Sequence, residues 1–130
     1  MRGDMSQMTA SDSKSVYLKV NLLTILGEKH NDFVELCRAH QVEKMHAFGS
    51  SITNHFDFQK SDIDLVVKIN IEDPVDRGEA LLSLWDKLES LFERKVDLLT
   101  DDSIHNPYLK ANIERTKKLI YDREREKVFI

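Results

Sequence analysis

Three aspartates and one Gly-Ser-Ser step carry the residues of this chain whose types and spacing could do chemistry. Asp62 and Asp64 stand two apart in Ser61-Asp62-Ile63-Asp64-Leu65-Val66-Val67, and Asp97 lies in Val96-Asp97-Leu98-Leu99. In an extended strand alternate residues share a face, so Asp62 and Asp64 point one way while Ile63 and Leu65 point the other. Asp97 is set against Val96 and Leu98 in the same manner. If the two strands are adjacent, three carboxylates meet on one surface, and such a cluster stays ionised only when cations neutralise it. Magnesium suits that role, because it prefers oxygen ligands and keeps positions for water or phosphate. Upstream, Phe48-Gly49-Ser50-Ser51 closes an apolar run. The glycine lets a backbone approach a phosphate, and the Ser50 and Ser51 hydroxyls with nearby N–H groups can hold its oxygens. Gly-Ser alone fills many ordinary turns, and acids on an exposed strand can simply discourage aggregation. The ordered combination reads as a seat for a metal-bound nucleotide.

The elements that must position these residues follow from periodicity. Tyr17, Val20, Leu23 and either Leu22 or Leu26 recur at helical spacing from Ser15 to Leu26, with Gly27 as a stop. Asn31 is a plausible cap for a second helix carrying Phe33, Val34, Leu36 and Cys37 to about Gln41. Lys44-Met45-His46-Ala47-Phe48 and the segment around Asp62 to Ile69 read as two neighbouring strands. Asp73-Pro74 opens a long amphipathic helix whose stripe is Leu81, Leu84, Trp85, Leu88, Leu91 and Phe92, closed by Arg94-Lys95. Lys95 to Thr100 is a short strand, Pro107 starts a helix to about Arg115, and Leu119-Ile120-Tyr121 is an edge strand. The charged tail from Asp122 onward reads as a solvated run. Interleaved helices and strands of these lengths imply an α/β (α+β) fold, a small mixed sheet with helices packed on one face. Residues 1–14 are expected to be a flexible leader and 15–130 a single domain.

Composition excludes several classes. A chain of 130 residues can bury about two thirds of its unfolded surface without disulfides or a structural metal. Its lone Cys37 cannot form an internal bridge, and its five histidines match no zinc spacing. A net charge of −4 gives no global basic footprint, which disfavours nucleic acid as a partner. No apolar run reaches the length of a membrane span, and the polar opening segment lacks a secretory core, so a cytoplasmic location is expected.

Taken in order, Gly49-Ser50, Asp62-Ile63-Asp64 and Val96-Asp97-Leu98 resemble the signature of the DNA polymerase beta-like nucleotidyltransferase superfamily, specifically its minimal nucleotidyltransferase (MNT) group. The resemblance covers about Phe33 to Tyr121. It implies the polymerase beta-like fold and transfer of a nucleoside monophosphate, AMP from ATP being favoured, to a hydroxyl of a partner protein or other acceptor. It further implies that Asp62, Asp64 and Asp97 are the catalytic residues and bind two magnesium ions, with Asp97 also activating the acceptor hydroxyl. Gly49, Ser50 and Ser51 then hold the nucleoside triphosphate. The loop 51–61 carries no glycine, so Asn54 could supply the left-handed turn and His55 or Lys60 a basic contact to phosphate. Minimal members act with a small helical partner of the HEPN type, in some cases as the antitoxin of a toxin pair. The other reading is a catalytically weak module that neutralises such a partner without turnover, and a homodimer stays open.

Overall fold

The computed structural model describes residues 22–49, 62–124 and 127–128. Tyr17, Val20, the leader 1–14 and the loop residues Ser50, Ser51, Asn54, His55 and Lys60 lie outside them. The described elements run α1 (Leu22–Glu28), α2 (His30–Ala39), β1 (Val42–Ala47), β2 (Ile63–Ile69), α3 (Pro74–Phe92), β3 (Val96–Thr100), a 3-10 turn (Asp101–Ser103), α4 (Pro107–Thr116), β4 (Lys118–Asp122) and β5 (Lys127–Val128).

The five strands form one mixed sheet in the order β3-β2-β1-β4-β5. The expected neighbours β1 and β2 pair antiparallel, as do β1 with β4 and β4 with β5. Only β2 and β3 run parallel. Parallel strands require a long crossover, and the 19 residues of α3 supply it. Local chemistry sets the ends of that helix. Asp73 caps it by accepting from the Asp76 N–H at 2.9 Å, Pro74 occupies its first turn, and Glu93 ends it in a left-handed conformation.

Alternation along β2 divides the sheet into two faces. Ile63, Leu65, Val67 and Ile69 belong to the main core with Leu84, Leu88 and Phe92 of α3, Phe33 and Cys37 of α2, and Leu22, Ile25 and Leu26 of α1. Phe33 stacks between Phe92 at 6.1 Å and the edge of Tyr121 at 6.3 Å between ring centroids. α1, α2 and α3 build the expected helical layer, but the helices are not confined to one face. On the opposite face α4 adds a smaller cluster, in which Ile113 packs with Val66 and Phe48 and against Leu99 and Ile104.

Four local expectations change. Gly27 does not stop the first helix, which continues to Glu28; an isolated glycine costs a helix only about 1 kcal/mol. Asn31 is not a cap but lies inside α2, which follows α1 after a single residue, Lys29. Leu119-Ile120-Tyr121 is not at the sheet edge, because Lys127 and Val128 return to pair with Asp122 and Tyr121. The tail is thus not wholly solvated: Asp122 is buried, its carboxylate accepting from the Glu124 N–H at 3.0 Å. Among the described residues no helix is long and apolar enough to cross a membrane.

Candidate active site

The parallel register brings the acids together. Asp64 and Asp97 are directly paired between β2 and β3, flanked by the pairs Ile63–Val96 and Leu65–Leu98. Those four flanking residues are all buried in the main core, so both aspartates emerge on the other face. There they share a side-chain hydrogen bond, and the Asp64 carboxyl is pushed up to about 6. Burial is the largest cause, followed by the charges of Asp97 and then Asp62 and by the hydrogen bond to Asp97. Asp62, half-buried just ahead of β2, thus acts on Asp64 through its charge. The expected trio appears as a hydrogen-bonded pair with a third acid beside it. Among the described residues no three carboxylate, histidine or cysteine side chains form a ready metal-holding group.

Gly49 faces this pair. Its φ is +64°, in the region glycine tolerates best, and a Cβ placed on it would lie 3.2 Å from the Asp64 Oδ2. The left-handed backbone therefore favours glycine here, and a Cβ would crowd the Asp64 carboxylate. Two contacts hold the turn in place: the Phe48 N–H donates to the Asp64 carbonyl at 3.1 Å, and the Gly49 N–H donates to Thr116 Oγ1 at 3.0 Å. The Thr116 hydroxyl in turn donates to the Asn112 carbonyl at 2.8 Å. The end of α4 is thus bound to the glycine turn. Sequence reasoning missed Thr116, and a hydroxyl residue in the last turn of a helix carries no signal that could have found it. Ser50 and Ser51, read as phosphate contacts, lie outside the described residues.

Further along the same face, His46 is half-buried in a small cleft with Lys44, Lys68 and Lys117. Burial, and after it the Lys117 ammonium, hold its imidazole below the ordinary range. A hollow of about 650 Å³ lies at the far ends of β2 and β3, between Lys68, Arg77, Gly78, Leu81 and Asp101, and none of the three acids lines it. Cys37 is buried, which pushes its thiol far above the usual range and makes it a packing residue.

Residues 31–126 match the family described as Polymerase beta, Nucleotidyltransferase. The chain belongs to this family. It is a nucleotidyltransferase domain, and an enzyme. "Putative protein adenylyltransferase MJ0126" of Methanocaldococcus jannaschii is 40% identical over 87 residues, which cover 67% of this chain and 83% of that protein. A solved structure described as a "putative minimal nucleotidyltransferase" superposes with a TM-score of 0.52 at 24% identity, over 77% of this chain and 96% of its own. The MNT antitoxin complex with a tri-AMPylated HEPN toxin of Shewanella oneidensis gives a TM-score of 0.50 at 22% identity, over 77% of this chain and 75% of the matched one. At these identities the two structures speak for the fold. The nucleotidyltransferase fold is thus established.

Proposed function

We propose that this nucleotidyltransferase moves AMP from ATP to a hydroxyl on a partner protein, with Asp62, Asp64 and Asp97 as its catalytic carboxylates. The observation that carries the reading is the Asp64–Asp97 contact across parallel strands, with Asp62 at its side and Gly49 closed against Asp64. The Asp64 carboxyl, packed this closely, resists ionisation, and a divalent cation would relieve that repulsion. The donor set, all carboxylate oxygen on half-buried side chains, fits magnesium. Bound there, two magnesium ions would offset charge on the attacking and leaving oxygens of the displacement.

The chain's own residues then have distinct parts. Asp62, Asp64 and Asp97 would hold the cations, and the Asp97 carboxylate would take the proton of the acceptor hydroxyl. That oxygen bonds to the α-phosphorus, the bond to the β-phosphate oxygen breaks, and pyrophosphate leaves. Gly49 gives the triphosphate room to approach the backbone, and Ser50 and Ser51, next in the sequence, are its proposed hydroxyl contacts.

Adenylyl as the transferred group is supported by the name of the Methanocaldococcus jannaschii relative and by the AMPylated toxin in the Shewanella oneidensis complex. The same complex supports a small helical HEPN-type protein as acceptor and an antitoxin role for the transfer. The test incubates the full chain with ATP labelled at the α-phosphate, magnesium, and a HEPN-type protein from the same organism. Label retained on that protein with wild type and absent with Asp97→Asn is the expected result. Equal labelling by both proteins would remove Asp97 from the chemistry.

A further inference from the structure

We propose that Trp85 and Glu89 are positioning residues that set Asp97 opposite Asp64, an inference that rests on the catalytic reading of Asp97 given above. Among the described residues β3 is an edge strand, with β2 on one side and no strand on the other. In a parallel ladder alternate residues turn their backbone groups toward the neighbour. Lys95 serves β2, its carbonyl accepting from the Ile63 N–H at 3.0 Å. Val96, the next residue, turns its N–H and carbonyl outward. Both find side-chain partners on α3: the Val96 N–H donates to Glu89 Oε2 at 2.9 Å, and the Val96 carbonyl accepts from Trp85 Nε1 at 2.6 Å. Trp85 and Glu89 are four residues apart, so one helical turn presents both groups to the strand edge together.

This clamp acts on the residue immediately before Asp97. A strand shifted by one residue turns every side chain to the other face, which would send the Asp97 carboxylate into the core beside Leu65. The start of β3 follows directly on the turn after α3, where an edge strand with one-sided pairing frays most easily. By satisfying both outward groups of Val96, α3 does for this point what a second neighbouring strand would do. Val96 is fully buried and Asp97 is half-exposed, so the backbone held by Trp85 and Glu89 separates an anchored residue from a working one. The stripe position of Trp85 is therefore only half explained by packing: its ring meets the core and its Nε1 meets the edge.

The test uses the full chain and Mn²⁺ alone, its binding followed by the loss of the free-ion signal in electron paramagnetic resonance. Trp85→Phe keeps a ring and removes the donor, Glu89→Ala removes the acceptor, and Glu89→Gln retains one. Trp85→Phe and Glu89→Ala are expected to weaken Mn²⁺ binding about tenfold, the scale seen for residues that orient a metal ligand, while Glu89→Gln restores most of it. Melting temperatures measured alongside separate this from plain destabilisation, since a structural role lowers them and leaves the affinity of the folded protein unchanged. Variants that melt lower but bind Mn²⁺ as wild type does would overturn the clamp's role alone. Wild type that binds no Mn²⁺ would overturn the metal-site reading, and the positioning role with it.

Discussion

Replacing Asp64 with asparagine should stabilise the metal-free protein, and by an amount that depends on pH. A carboxyl that titrates at about 6 rather than 3.8 costs the folded state up to about 3 kcal/mol once ionised, at about 1.4 kcal/mol for each pH unit. Water reaching the half-buried group reduces this to about 1–2 kcal/mol. The sign follows from proton binding. Because the folded state holds the Asp64 proton more tightly than the unfolded chain, wild-type stability falls as pH rises from about 4 to about 6 and stays low above that. Asp64→Asn has no such proton, and its amide can still donate to the Asp97 carboxylate. Urea unfolding followed by the fluorescence of Trp85, the only tryptophan, in chelator-treated buffer reads the difference directly. The variant should exceed wild type by about 1–2 kcal/mol at pH about 7.5 and match it near pH about 4. Magnesium should then raise the wild-type value and leave the variant unchanged. A variant no more stable than wild type at the higher pH, or a gap that does not change with pH, would refute the account of the acid cluster.

Three further substitutions test the parts around that cluster. Gly49→Ala should cost about 1–2 kcal/mol in urea unfolding, from the left-handed backbone and the 3.2 Å approach to Asp64 Oδ2, and should also weaken Mn²⁺ binding; unchanged stability would mean that the turn relaxes freely. Thr116→Val removes the acceptor of the Gly49 N–H and should cost about 1–3 kcal/mol if that donor is left without a partner, measured by the same unfolding curve. Trp85→Ala should cost about 3 kcal/mol, through lost packing against the core and the lost bond to the Val96 carbonyl; a loss below about 1 kcal/mol in a thermal melt would place it on the surface.

The acid face was legible because β-strand alternation is a rule about neighbours in sequence. Asp64 lies between Ile63 and Leu65, and Asp97 between Val96 and Leu98, so each strand declares which way its acid points. That the two strands are adjacent and in register was an inference, and the parallel pairing of Asp64 with Asp97 supplies it. The long helix was legible for the same reason, through Leu84, Leu88 and Phe92 at fourfold spacing behind an Asp-Pro start. Features that depend on distant segments were not. β4 looked like an edge because its partner β5 is only Lys127–Val128, two residues inside a charged tail. The hydroxyl of Thr116 and the side chains of Trp85 and Glu89 act on backbone groups of Gly49 and Val96. A backbone N–H has no letter in the sequence, so such contacts cannot be read from spacing.

Calorimetric titration of ATP into the full chain, with and without magnesium and with Asp64→Asn alongside, tests the central claim most directly. Wild type is expected to bind ATP only with magnesium, and the variant not to bind it. Binding that is indifferent to magnesium, or that survives in Asp64→Asn, would contradict a metal-bound nucleotide seated on these aspartates.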